Sequence, residues 1–240
     1  MYEEEQTNTD AKLHLVKEYF AQWQNDLSRA NALLESDEYF LEGLLVLVCY
    51  IGALARVRYP QEQKDWKSYK DIVWEYGGKK NLYANIDLLF FCQWPKSKMA
   101  NDKIYQRLRN HSEIVLVIKE YFGDEEAMRH STERYQTREA IVSLIKKKKP
   151  SWFDESNFRE HVKLFSNNQI LYEILRCEAV HNANFLLFNP TYQAGQNKII
   201  YEDNHEITRH VILETLQNII SGLEKECLAQ SKWPWELSCI

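Results

Sequence analysis

Residues 37–60 read DEYFLEGLLVLVCYIGALARVRYP. Ser36 or Asp37 can cap a helix here, the run from Gly43 to Ala55 fills it with apolar side chains, and Pro60 stops it near Arg58. A bilayer-spanning helix needs about 20 apolar residues. This shorter run is therefore expected to be the buried centre of a globular core, with no membrane span. A core helix needs neighbours that each offer one apolar face, and the flanking sequence supplies them.

On the N-terminal side, Asp10 can cap a helix that reaches Leu34, with Leu13, Val16, Phe20, Trp23 and Leu27 at alternating three- and four-residue steps. Residues 1–9 are expected to form a flexible tail. On the C-terminal side, Trp66, Tyr69, Ile72 and Val73 predict a helix from about Glu62 to Tyr76, ended by Gly77-Gly78. Further helices are expected over Ile86–Gln93, Asp102–Phe122 and Thr132–Lys148, from Ser151 or Asp154 to His181, and from Asp203 or Asn204 to Gln230. The least regular stretch is Asn182–Asn204, where Lys198–Tyr201 could form a brief extended piece, and the aromatic tail KWPWELSCI is expected to fold back on the body. There is no internal repeat and no linker rich in Gly, Pro or Ser. Residues 10–240 accordingly read as a single all-α domain.

Composition agrees. Seven glycines and five prolines in 240 residues fall well below the roughly 12% of an average chain, so turns are few and helices long. Hydrophobic residues at 45% and charged residues at 27% exclude disordered and collagen-like classes. A net charge of −5 argues against a uniformly basic nucleic-acid coat and leaves room for a local basic groove. Five cysteines without a CxxC pair support neither a zinc site nor a disulfide framework, which makes a reducing cytoplasm the expected compartment. The acidic start MYEEEQTNTD has none of the features of a secretory leader.

Several chemistries find no motif. There is no GxGxxG, no GxxxxGK[ST] and no GxSxG; Gly77-Gly78-Lys79-Lys80 follows a helix and reads as its stop. His205 and His210 are five residues apart, about 140° around a regular helix, so they do not form the one-faced pair of a zinc helix. No metal and no cofactor is expected. Lys146, Lys147, Lys148 and Lys149 read as a helix C-terminus whose cations oppose the dipole, or as a contact for a polyanion such as RNA.

The segment that stands out is Leu171–Asn182, LYEILRCEAVHN, in which Arg176 is followed after four residues by His181 and Asn182. It resembles the Rx4–6H signature of the HEPN superfamily. The resemblance implies a HEPN-like helical bundle, here with additional helices, and a metal-independent RNase working as a homodimer, with Arg176 and His181 catalytic. It also implies an antitoxin or another defence-system protein as a possible partner, since such domains serve in toxin–antitoxin, phage-defence and CRISPR-linked systems. Active members often carry a polar residue directly after the arginine, and here that position is Cys177.

The residue types suit RNA cleavage by attack of the substrate's own 2′-OH. Histidine can move protons near neutral pH, and arginine can stabilise phosphate charge through two parallel hydrogen bonds. Products would carry a 2′,3′-cyclic phosphate and a 5′-hydroxyl. Five helical positions separate Arg176 and His181 by about 140° and about 7.5 Å along one straight helix. Either the helix ends before His181, or two copies meet across a two-fold axis. Glu178 could orient either group or be a plain surface carboxylate. Asn182 could bind RNA or close the helix as the residue after its end, and Tyr172 could orient Arg176, stack a base or simply pack in the core. Read without the resemblance, Arg176 could equally be salt-bridged to Glu173 or Glu178. The alternative function is a non-catalytic HEPN-like module that binds a partner protein or nucleic acid.

Overall fold

The computed structural model describes residues 2–94, 105–148 and 151–237, with the backbone alone at 2–8 and 105. Its first half runs α1 (Tyr2–Leu34), α2 (Phe40–Arg58), α3 (Asp65–Tyr76), α4 (Lys80–Ala84), β1 (Ile86–Asp87), α5 (Leu88–Gln93), α6 (His111–Phe122) and α7 (Glu125–Arg129). Then follow β2 (Tyr135–Gln136), α8 (Arg138–Lys148), α9 (Glu155–His161), α10 (Asn167–Ile170), a π-helical turn (Leu171–Cys177), α11 (Glu178–Asn182), β3 (Phe188–Gln193), β4 (Lys198–Asp203) and α12 (Arg209–Gln230). Helix dominates. Strand is confined, among the described residues, to the antiparallel pairs β1–β2 and β3–β4.

The chain divides into two compact units, Met1–Lys80 with Leu171–Ile240, and Asn81–Ile170. The sequence reads as one domain because neither seam carries a linker. One seam falls inside α4, and at the other α10 passes directly into the π-helical turn.

In the first unit, α2 packs against α1, α3 and α12, and α12 also packs against α1 and α3. By length and composition α2 could cross a membrane; nearly half of its apolar window is buried inside the structure. Leu44, Leu47, Ile51 and Leu54 of α2 are fully buried, as are Val16 and Phe20 of α1 and Ile212, Leu216 and Ile219 of α12. At Gly43 a Cβ would lie 2.7 Å from the Leu34 backbone nitrogen, so only glycine lets the end of α1 approach α2 this closely. At the far end of α2, Arg58 is 1% exposed. Its Nε donates to the Tyr76 hydroxyl (3.0 Å) and its Nη1 to the Leu237 carbonyl (3.0 Å), while Tyr76 donates to Glu226 (2.7 Å). Burial opposes the charge, and the contacts with Tyr76, Tyr59 and Glu226 outweigh it, holding the guanidinium above its ordinary pKa. One cation thus joins α2, α3, α12 and the C-terminal tail, whose Trp233 also packs edge-on to Tyr19 (6.0 Å).

The second unit is built on Phe91, Phe158 and Phe165, which are nearly fully buried. Asp87 caps α5 by accepting from the Phe90 amide (3.0 Å), and both its carboxylate oxygens accept from Arg134 (2.9 and 2.6 Å) at 1% side-chain exposure.

Helix α1 begins at Tyr2, not after a tail over residues 1–9, because no Gly or Pro interrupts residues 1–34. The helix expected over Asp102–Phe122 begins at His111, where Asn110 takes a left-handed conformation (φ 53°); residues 102–104 lie outside the described residues. The helix expected from Thr132 begins at Arg138, because Tyr135–Gln136 pairs with Ile86–Asp87. The helix expected from Ser151 or Asp154 to His181 is broken at Ser166, which is extended and bridges Ile86. The irregular stretch forms the β3–β4 hairpin, and α12 starts at Arg209, capped by Thr208, because Asp203 closes β4.

Replacing Arg58 with Met would keep most of the buried volume and strand the Leu237 carbonyl and the Tyr76 hydroxyl. The expected cost is about 2–4 kcal/mol, read as a lower urea midpoint at unchanged slope; a loss under about 0.5 kcal/mol would show that the guanidinium does not hold these elements together.

Candidate functional site

Arg176 lies near the end of the π-helical turn Leu171–Cys177. Such turns are rare, and they rotate the side chains that follow away from the positions of a regular α-helix. The buried Leu171 and Leu175 anchor the turn in the core of the first unit, so its outward side is set by packing. There Arg176 lines a cavity of about 190 Å³ with Tyr172 and Val180. Cys49, Gly52 and Arg56 of α2 and Ser68 and Tyr69 of α3 complete much of the wall.

The Arg176 guanidinium carbon lies 5.5 Å from the Tyr172 ring centroid, and Nη1 donates to the Cys177 sulfur (3.8 Å). Burial works against its charge; the contacts with Cys177, Tyr172 and Tyr69 more than offset this and hold its pKa above the ordinary value. Among the described residues Arg176 forms no ion pair with Glu173, Glu178 or any other carboxylate. By contrast, Arg56 in the same wall lies 3.3 Å from Asp65. Tyr172 is buried edge-on against Tyr69 (5.4 Å), and burial pushes its phenol up to about 12. It is thus both a packed core tyrosine and the face on which Arg176 rests. Burial raises the Cys49 and Cys177 thiols, and in both the Arg176 charge pulls the other way.

His181 stands at the C-terminal end of α11, exposed, with no hydrogen bond or ion pair among the described residues. It follows Val180, which lines the cavity, and is not itself part of the wall. The helix continues through His181, so one chain does not converge Arg176 and His181 on the same space. Glu178 touches neither group: its carboxylate accepts from Asn184 Nδ2 (3.3 Å). Asn182 is the exposed last residue of α11. The residue that closes the helix is Ala183, left-handed at φ 50°, so the cap expected at Asn182 falls one residue later.

In the second unit, Lys146 pairs with Glu155 and Lys148 with Glu120 (3.1 Å), while Lys147 is exposed; Lys149 lies outside the described residues. Two of the three described lysines are therefore already engaged by carboxylates. His205 is buried ahead of α12, with Nδ1 accepting from the Ile207 amide (2.9 Å), and His210 lies inside α12. No group of three or more His, Cys, Asp or Glu among the described residues is arranged to hold a metal ion.

Nothing local in the sequence marks Cys49, Ser68 and Tyr69, which belong to core helices. Arg56 could have been noticed as a charge at the edge of the apolar run. No family model, curated protein or solved structure matches the chain.

A guanidinium half-buried without a carboxylate partner adds little to folding and is free to act on a ligand. Arg176→Met is expected to leave stability within about 1 kcal/mol of the original chain, or to raise it, in urea unfolding. A loss comparable to that at Arg58 would mark Arg176 as a structural residue.

Proposed function

We propose that the protein is a metal-independent endoribonuclease of HEPN type, with a HEPN-like helical core and active as a homodimer, in which Arg176 holds the scissile phosphate and His181 transfers the proton. The observation that carries this reading is that both groups are uncommitted: Arg176 faces a cavity without a carboxylate partner, and His181 is exposed at a helix end. A structural arginine–histidine pair would have its charges satisfied internally. The reaction needs a proton taken from the 2′-OH, a proton delivered to the 5′-oxygen and positive charge at the phosphate, and these two side chains have the chemistry for it.

A homodimer is supported by the absence of His181 from the wall that Arg176 lines on one chain. A two-fold contact at the end of α11 would bring His181 of one copy to the Arg176 cavity of the other. Val180, 37% exposed and next to His181 in the chain, and Leu186, 53% exposed after α11, would give that contact an apolar component. The second reading, a non-catalytic HEPN-like binding module, draws on the same separation: if no dimer forms, His181 has nothing to act with.

RNA cleavage in EDTA, leaving 2′,3′-cyclic phosphate ends, is the expected activity. His181→Ala should lower the rate by about 10²–10⁴-fold, and Arg176→Ala should abolish turnover with the fold intact by circular dichroism. Mixing the two variants should restore activity that neither has alone. Cleavage unchanged in both variants would sink this reading; binding without cleavage in the original chain would favour the module.

A further inference from the structure

Strands β3 and β4 pair only with each other among the described residues, so each has one edge without a neighbouring strand. The Asn204 amide donates to the Leu187 carbonyl (3.1 Å), a hydrogen-bonded pair that sets the alternation of the whole ladder. Asn189, Thr191 and Gln193 therefore bond Glu202, Ile200 and Lys198, while the residues between them turn their backbone groups outward. On β3 one of these is Pro190, which has no N–H to offer, so that edge is blunted against a further strand. On β4 they are Ile199, Tyr201 and Asp203, with no proline. The Arg209 guanidinium donates to the Tyr201 carbonyl from the outer side, as this direction requires. Among the described residues nothing bonds the Ile199 amide, the Ile199 carbonyl or the Tyr201 amide.

This strand borders a groove of about 600 Å³. One wall is β4, through Lys198, Ile199 and Tyr201, and no residue of β3 takes part. The other is the start of α2, through Leu41 and Glu42, with Asp37 and Glu38 just before it. Its apolar side is open to water: Ile199 is 49% exposed, as is 61% of its cross-strand partner Tyr192. Its charge is one-sided. Lys198 pairs with Asp37 (2.6 Å), whereas Glu38 and Glu42 form no ion pair among the described residues. The dipole of α2 favours one carboxylate in its first turn, and Glu42 supplies it. Glu38 lies before the helix and lines the same groove. Outward backbone donors and acceptors call for an extended chain. The apolar wall calls for apolar side chains on that chain, and the two unmatched carboxylates for cations.

We propose that the edge of β4 and the groove beside it bind an extended segment of a partner protein, rich in lysine or arginine, which joins the hairpin as its third strand. Ile199 and Tyr201 supply the main-chain bonds, Leu41 and Ile199 the apolar contact, and Glu38 and Glu42 the selection for positive charge. The site uses neither Arg176 nor His181 and stands whether or not the protein cuts RNA.

The probe is a fluorescein-labelled nonapeptide of alternating lysine and valine, titrated with the full chain at low salt and followed by anisotropy. Glu38→Gln and Glu42→Gln, both at exposed positions, should each weaken binding by about two- to fivefold. The same peptide N-methylated at every amide keeps its charge and loses its donors, and should bind about tenfold more weakly. A peptide of alternating glutamate and valine should not bind. The proposal is overturned if the lysine peptide does not bind, or if both glutamine variants bind it like the original chain. It is overturned too if the N-methylated or the glutamate peptide binds equally well. A dimer in solution that Ile199→Pro dissociates would give the edge to a second copy of the chain and likewise remove the partner segment.

Discussion

A single buried cation organises the first unit. Arg58 ends the most apolar helix in the chain, and its guanidinium has left water almost completely. An unsatisfied charge there would cost several kcal/mol, so the groups that meet it are fixed in space by the need to meet it. Tyr76 comes from the end of α3, Glu226 from α12 and the Leu237 carbonyl from the chain's return after α12. Apolar packing brings these helices together without direction. The guanidinium supplies direction, because its hydrogen bonds lie in a plane and accept only a few arrangements of partners.

Arg176, also in the first unit, is handled in the opposite way. It too is drawn partly out of water and, as Arg58 does over Tyr59 (4.9 Å), rests on an aromatic ring, but its donor edge meets a thiol where that of Arg58 meets a hydroxyl and a carbonyl. An aromatic face offsets part of the lost hydration without consuming the planar donor edge. Beyond the Nη1 bond to the Cys177 sulfur, that edge meets no carboxylate among the described residues. The contrast gives a physical criterion for telling a structural arginine from one that serves a ligand, and it does not depend on the motif in which the residue lies.

The helical class was legible because it rests on long-range regularities. Few turn formers, a long apolar run and three- and four-residue spacing along α1 and α3 all survive the summation over many residues. What was not legible depends on single contacts between distant segments. Tyr135 and Gln136 give no local reason to leave a helix; they do so to pair with Ile86 and Asp87. The break at Ser166 likewise exists because that residue bridges Ile86. The hairpin was half legible, since Ile199 and Ile200 favour extension but their partners in β3 surround Pro190 and read as loop. At the candidate site, Arg176, His181 and Tyr172 were singled out together because one segment resembles a known motif, and of the three Arg176 and Tyr172 line the cavity. Arg56, Ser68 and Tyr69 were not, because a cavity wall gathered from α2, α3 and the π-helical turn leaves no spacing to read.

Helix α3 shows how one element is fixed from more than one side at once. Its buried side is held by Tyr69, Ile72 and Val73, and its C-terminal end by Tyr76 against Arg58. These contacts fix the axial spacing and rotation of the exposed side, on which Trp66 and Trp74 lie. A flexible loop with the same side chains would leave their spacing unset, and ordering it would cost about 1–2 kcal/mol per residue fixed. On α3 that cost is met when the chain folds.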